Sequence, residues 1–266
     1  MNAFDPTSYW QNRLAQNPGL QGVGYIGLGR RYNEWLYRMR RQIFLREVRL
    51  LPLNWRESEV LDVGSGTGFY VQLWREIGAV SITGSDLTDV AVSRLQLEFR
   101  EDKFIWLDIG ASVSHSLHQR FDAISAFDVL FHIVDDCRYA AAISNIHTML
   151  KDGGWFIFSD NFLRWTERAD HQVSRSLGEV TSLLNQAGFQ IVRRKPMFIL
   201  MNYPIDTRHA IWRRLWGGLT YPVQRSECFG HALGAALYPL EVVLTGLLRE
   251  GPSTELMICR KVPRSS

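Results

Sequence analysis

Apolar positions recur at helical spacing early in the chain, where Tyr32, Trp35, Leu36, Met39, Ile43 and Phe44 mark one face. Residues 1 to 57 therefore read as a helical extension. From Glu59 the pattern changes to short apolar runs alternating with amphipathic ones. Glu59 to Val63, Val80 to Gly84, Lys103 to Leu107, Phe121 to Ala126 and Trp155 to Ser159 read as strands. Between them, Phe69 to Ile77 places Val71, Leu73, Trp74 and Ile77 on one helical face, and a helix from Thr88 carries Val90, Val92, Leu95 and Phe99. Asp135 or Asp136 caps a third helix running to Leu150. Its expected stop is Lys151-Asp152-Gly153-Gly154, with cation and glycine where a helix end wants them. Ser176 to Ala187 reads as a helix ended by Gly188. Phe189 to Met201 reads as an extended segment interrupted by Pro196, and Glu255 to Arg260 as a last strand.

This rhythm predicts an α/β fold with a parallel sheet covered by helices on both faces, and loops after the strands gathered along one rim. Residues 58 to 266 then form one domain. A helical insertion at about 207 to 250 is expected as a lid, and residues 1 to 57 as a cover for the active site.

Composition narrows the class only a little. With 46% hydrophobic and 21% charged residues, the 266-residue chain has a core large enough to need no staple. A net charge of +3 is too weak to argue for nucleic acid. Arg30, Arg31, Arg38, Arg40, Arg41 and Arg46 crowd one stretch, which reads as a solvated helix face or as a site for an anionic substrate or membrane headgroup. Cys137, Cys228 and Cys259 are far apart and form no metal spacing with the histidines, so no metal is expected. Free thiols and a start that is neither basic nor apolar predict a reducing, cytoplasmic setting without a signal peptide. The apolar run Ala232 to Leu248 is broken by Pro239, Glu241 and glycines, so no membrane span is expected; peripheral membrane contact stays open.

The chemistry concentrates where the first strand ends. In Leu61-Asp62-Val63-Gly64-Ser65-Gly66-Thr67-Gly68-Phe69, glycines let the backbone turn sharply and approach a ligand, and a helix N-terminus follows. The spacing is GxGxG, and Asp62 at the strand end would repel a pyrophosphate but suit an ammonium and a sulfonium. Two further acids end the next strands, Asp86 beside Leu87 and Asp108 beside Ile109. By contrast, Gly22-Val23-Gly24-Tyr25-Ile26-Gly27 matches GxGxxG but follows no strand, so it is a decoy for a dinucleotide site.

From about Val60 to Phe189 the chain resembles class I S-adenosylmethionine-dependent methyltransferases, whose first motif matches Asp62, Gly64, Gly66 and Gly68. The resemblance implies a Rossmann-like class I methyltransferase fold with a mostly parallel seven-stranded sheet, and S-adenosyl-L-methionine as cofactor. It implies that the loop of Gly64, Ser65, Gly66, Thr67 and Gly68 wraps the methionine portion. It also implies that Asp86 holds the ribose hydroxyls, that Asp108 accepts from the adenine amino group, and that neighbours such as Leu87 and Ile109 back the ring. Phe127 and Asp128 are then expected at the sulfonium end, with Asp128 and His132 as candidate catalytic residues. His132 reads either as a general base or as a packing residue beside the cofactor. Tyr25, Tyr32, His132 and Asp160 are candidate contacts for the acceptor. Phe127-Asp128-Val129-Leu130-Phe131-His132 stands where amino-methylating nucleic-acid enzymes carry Asn/Asp-Pro-Pro-aromatic, which disfavours nucleic acid. The expected acceptor is a small molecule, sugar or lipid-linked metabolite, methylated at oxygen. The alternatives are a non-catalytic cofactor-binding regulator and an N-methyltransferase for a protein or small amine. Oligomeric state is not legible.

Overall fold

The structure is a computed structural model and describes residues 5–16, 19–207 and 210–263. Two compact units divide the chain. The first comprises residues 1–15, 52–193 and 256–266, and the second 16–51 and 194–255. The expected boundary at residue 57 is therefore replaced by an interleaved one. The N-terminal stretch is shared between the units, and its longest helix belongs with residues 194–255, which include the expected lid segment.

The first unit is built on β1 (Glu59–Val63), β2 (Ser81–Asp86), β3 (Lys103–Trp106), β4 (Phe121–Phe127) and β5 (Leu150–Asp160), with β8 (Phe189–Pro196) and β9 (Glu255–Lys261) completing a seven-stranded sheet. The order is β3-β2-β1-β4-β5-β9-β8, and the pairs β1–β2, β1–β4, β2–β3 and β4–β5 are all parallel. Order reverses at β1, which pairs with β2 on one side and β4 on the other. A crevice at the C-terminal ends of the strands is the expected ligand position at such a switch. Helices α4 (Phe69–Glu76), α5 (Asp89–Glu98), α6 (Asp136–Met149) and α7 (Leu177–Ala187) supply the crossovers.

Strand alternation divides the buried residues. Leu61, Val63, Ile124, Ala126, Phe156 and Phe158 pack with Ile143, Ile146, Val180 and Leu184 of α6 and α7. On the opposite face, Trp74 of α4 is fully buried and packs at 5.1 Å on Trp55. Thr88 caps α5 by accepting from Ala91 N, Asp135 caps α6 by accepting from Arg138 N, and Ser176 with Glu179 closes a full capping box on α7.

Two local expectations change. Lys151-Asp152-Gly153-Gly154 is the start of β5, where Gly153 takes φ +76° and the β4–β5 register shifts between Phe121 and Ala123. A hairpin of β6 (Glu167–Ala169) and β7 (Gln172–Ser174), too short to leave a sequence pattern, follows β5. Helix α1 (Pro6–Gln16) lies with the first unit through residue 15.

The second unit contains α2 (Leu20–Val23), α3 (Gly29–Val48), α8 (Ala210–Thr220) and α9 (Glu227–Leu247). Its α3 and α9 lie side by side: Trp35 meets Tyr238 at 5.4 Å, and Arg46 Nη2 donates to the Thr245 carbonyl at 3.0 Å.

Candidate active site

The turn after β1 is shaped by its lack of side chains. Gly64, Gly66 and Gly68 take φ of +70°, +53° and +79°. A Cβ on Gly64 would stand 2.3 Å from Val129 Cγ2, and one on Gly68 would stand 2.4 Å from Phe99 Cε2. The backbone there is left-handed and closely packed, so only glycine serves. The turn is also pinned. Gly66 N donates to Asp86 Oδ2 at 3.0 Å, Arg94 Nη2 donates to the Gly66 carbonyl at 2.9 Å, and Ser65 N donates to the Ser85 carbonyl at 2.8 Å. Ser65 Oγ donates to the Asp62 carbonyl at 3.0 Å.

Asp62 is 1% exposed and pairs in register with Ser125 of β4. Trp74 Nε1 donates to Ser125 Oγ at 3.0 Å, and Ser125 Oγ donates to Asp62 Oδ1 at 2.6 Å. Asp62 Oδ2 is buried and, among the described residues, has no hydrogen-bond donor. Burial, opposed by the Ser125 hydrogen bond, pushes this carboxyl up to about 7. A buried carboxylate with one bare oxygen is a costly arrangement that a cationic partner relieves.

Asp86, at the end of β2, is raised by burial above the usual carboxylate range. Its Oδ1 accepts from Thr88 N at 2.9 Å and Thr88 Oγ1 at 2.8 Å, while Oδ2 holds Gly66 N. The helix cap itself is Thr88, so Asp86 orients the cap and anchors the glycine turn together. Each carboxylate oxygen carries two lone pairs, so Oδ2 keeps capacity for one more donor. Asp108 lies beyond β3, with Oδ1 accepting from Gly110 N at 3.1 Å and Oδ2 paired with Arg138 of α6. Ile109 is buried in the core and Leu87 is half-buried, with its carbonyl accepting from Trp106 Nε1 at 2.8 Å.

Beyond β4, Phe127 stacks on Tyr70 at 3.9 Å, nearly parallel. Asp128 takes φ +58°, an uncommon conformation for a residue other than glycine that marks local strain. It is held there by Ser159. Asp128 N donates to Ser159 Oγ at 2.8 Å, and Ser159 Oγ lies 2.9 Å from Asp128 Oδ1. His132 follows in a short 3-10 turn, Leu130–His132. Its Nδ1 lies 3.0 Å from the His171 carbonyl, which only accepts, so Nδ1 carries the proton and Nε2 is left as an acceptor. Trp10 of α1 meets the His132 ring edge-on at 4.8 Å, and Tyr9 stacks on His171 at 5.9 Å. Arg13 lies over the Trp10 ring at 5.0 Å. Burial, with the charge of Arg13 contributing, drives the imidazole down to about 4, so it is neutral at physiological pH.

The remaining expected acceptor contacts are placed as follows. Asp160 is 1% exposed beneath the end of β5, with Oδ1 accepting from Asn161 N and Oδ2 3.4 Å from the Tyr139 hydroxyl; burial pushes it up to about 7. That makes it an internal acid rather than a rim group. Tyr32 is fully buried in the second unit, and its hydroxyl donates to the Met201 carbonyl at 2.9 Å, a packing role. Tyr25 is exposed in the same unit, and both of its backbone polar groups bond to the Asn33 side chain. In the decoy stretch Gly24 is structural, since a Cβ there would stand 2.4 Å from Asn33 Oδ1; just beyond it, Asn33 also donates to the Gly29 carbonyl, and Glu227 accepts from Arg30 N and Arg31 N. Arg94, Ser125 and Trp10 join the site without any sequence signature. Trp10 in particular acts from far away in the chain.

Residues 35–195 match the family model of the methyltransferase domain. The chain belongs to the methyltransferase-domain family. It is a class I S-adenosylmethionine-dependent methyltransferase. Solved structures similar to the enzyme include an S-adenosylmethionine-dependent methyltransferase from Mesorhizobium loti (TM-score 0.52, 16% identity, 82% of this chain and 97% of that one). Another is the methyltransferase bound to the Trm112 activator of Haloferax volcanii (TM-score 0.56, 13% identity, 89% and 98%). A third is Haemonchus contortus phosphoethanolamine N-methyltransferase 2 in complex with phosphomonomethylethanolamine and S-adenosylhomocysteine (TM-score 0.57, 15% identity, 96% and 61%). These likenesses establish the fold. An uncharacterized protein of Haemophilus influenzae is 28% identical over 116 residues, 41% of this chain, so the match spans less than half of that relative's length, 44%.

The site's residues fit S-adenosylmethionine, the cofactor of the enzyme. The bare Oδ2 of Asp62 suits a cationic group, and the Gly64–Gly68 turn leaves no Cβ in the way of a close-lying ligand. The remaining lone pair of Asp86 suits a hydroxyl donor. Among the described residues, no group of His, Cys, Asp and Glu is placed to hold a metal ion.

Proposed function

We propose that the enzyme methylates a small-molecule acceptor, a sugar or lipid-linked metabolite, at oxygen. The observation that carries this reading is the His132 ring. It lies four residues beyond the strained Asp128, walled by Trp10 and Phe131, with Nε2 as its acceptor atom. S-adenosylmethionine supplies an electrophilic methyl group on a positively charged sulfur. Asp62 and the glycine turn would hold the donor end, and Phe127 and Asp128 would border the reaction zone.

His132 Nε2 would accept a hydrogen bond from the acceptor hydroxyl and so hold its oxygen in place. An imidazole held near 4 is too weak a base to remove a hydroxyl proton beforehand. Once the oxygen carries the new methyl group its proton is far more acidic, and Nε2 then suffices to take it. His132 is accordingly a positioning base whose proton transfer comes late. The aromatic wall excludes water and favours an acceptor with an apolar part.

The test is methyl transfer from radiolabelled S-adenosylmethionine to a panel of hydroxylated, amine and peptide acceptors. His132→Ala and Trp10→Ala should cut turnover of the hydroxylated acceptor by roughly a hundredfold, in the range of a lost acid–base group, while S-adenosylhomocysteine affinity stays unchanged. Transfer to amines or peptides alone would overturn the oxygen assignment. Unchanged turnover in both variants would remove the role of His132.

A further inference from the structure

Helices α8 and α9 of the second unit are inside out. In α9 the residues turned inward are small or polar, namely Gly230, Gly234, Glu241 and Thr245, whereas Phe229, Leu240, Val243 and Leu247 are exposed. Gly234 packs under Trp35 of α3, where a Cβ would stand 2.3 Å from Trp35 Cδ1. The buried Glu241 carboxylate accepts from Ile199 N, Leu200 N and Met201 N at 2.7, 2.8 and 3.2 Å. In α8, Trp216 packs on Tyr203 at 5.4 Å and Thr220 is buried, whereas Ile211, Trp212, Leu215 and Leu219 are exposed. A water-facing helix ordinarily shows the opposite pattern, and consecutive helices that both present large apolar side chains mark a binding surface.

Charge decides the occupant. From Ala210 to Arg249 the described chain carries Arg213, Arg214, Arg225 and Arg249 against Glu227 and Glu241. Both acids are engaged: Glu241 is buried, and Glu227 accepts Arg30 N and Arg31 N at 2.9 and 2.7 Å. Arg225 lies 3.9 Å from the centre of the exposed Tyr221 ring, and Arg38 of α3 lies 4.4 Å from the Trp35 ring, itself against Tyr238 of α9. Apolar side chains, an exposed Trp and Tyr, and arginines beside them are the chemistry of a helix lying in a lipid–water interface. Helix α9 has 21 residues and is apolar enough to cross a membrane by length and composition. Its inward Glu241 and its bond from Arg46 instead hold it along α3 within the unit.

We propose that α8 and α9 dock this chain in the plane of an anionic lipid bilayer, independently of which acceptor is methylated. The test is flotation of the purified full chain with vesicles of phosphatidylcholine alone and of phosphatidylcholine with about a third phosphatidylserine. The expected result is recovery with the anionic vesicles, weaker recovery with the neutral ones, and release by salt. Trp212→Ser with Leu215→Ser, or Leu240→Ser with Leu247→Ser, should abolish flotation. Arg213→Gln with Arg214→Gln should lower partitioning onto the anionic vesicles by roughly tenfold. Unchanged S-adenosylhomocysteine binding certifies that the variants fold. Recovery of the unaltered chain wholly in the soluble fraction would overturn the proposal. So would a dimer, seen by light scattering, that the same apolar substitutions convert to monomer, because the surface would then belong to a second copy.

Discussion

Ser125 donates its hydroxyl to Asp62 Oδ1 at 2.6 Å from the register-matched position of the next strand, and is itself held by the indole N–H of Trp74. One oxygen of the carboxylate is thereby fixed, while the other is buried without a donor among the described residues. Ser125→Ala should free the carboxyl to rotate and add a second bare oxygen. The expected outcome is a fall of about tenfold in S-adenosylhomocysteine affinity by titration calorimetry, the scale of one hydrogen bond to a charged group. Asp62→Asn removes the charge and should weaken binding further.

Affinity for S-adenosylhomocysteine should rise with pH through about 7. Burial holds the Asp62 carboxyl there, so below that pH the folded protein keeps a proton that an incoming ammonium must expel. The fall should approach tenfold per pH unit on the acid side. Calorimetry in buffers of different ionisation enthalpy should register proton release near pH 7, and Asp62→Asn should remove it. The ligand-free protein responds in the opposite sense. Asp62 and Asp160 stay protonated in the folded chain where the unfolded chain has lost the proton, so their contribution to stability declines as pH rises from the ordinary carboxylate value of 3.8 to about 7.

Asp86→Ala should cost more than a ribose contact. Gly66 N loses its acceptor and Thr88 loses the partner that orients its hydroxyl. Cofactor affinity should fall by roughly a hundredfold, the sum of about two charge-assisted bonds. The melting temperature should also drop. Asp86→Asn keeps the shape and should recover part of the loss.

Gly64→Ala places a methyl group 2.3 Å from Val129 Cγ2 at a backbone φ of +70°. Destabilisation of about 1–3 kcal/mol is expected from the strained backbone alone. Combining it with Val129→Ala should relieve the collision and leave only that backbone part, a non-additive result that denaturant melts of the single and double variants will read.

Much of the donor half is legible in the sequence. The run from Glu59 to Phe69 alternates and then turns through glycines in a way that admits few other structures, and carboxylates follow at the ends of the next two strands. The acceptor half is not legible, for physical reasons. Trp10 reaches His132 across a long stretch of chain, and no local periodicity encodes that meeting. Arg94 and Ser125 act through single hydrogen bonds to the turn and to Asp62, and the identity of such a residue is ordinary. Lys151 to Gly154 reads as a helix stop because cation and glycine suit one. The same glycines also admit an irregular strand start, and pairing with β4 decides the matter. Tyr32 reads as a site aromatic by its neighbours, but the 3.6-residue period that identifies its helix turns it inward. The pattern of α9 shows only that it is apolar; that its glycines and glutamate face inward depends on α3, whose large Trp35 needs a small neighbour.

Because Trp10 and Tyr9 arrive on α1, the imidazole depends on a piece of chain that the donor half does not use. Unravelling that helix, by trimming or by a bulky fusion, would let water reach His132 and raise its basicity, while the turn after β1 kept its anchors. The result would be a protein that still captures its nucleoside but has forfeited command over what receives the methyl group. Preparations that differ only at their leading residues would then differ in turnover while sharing one binding isotherm.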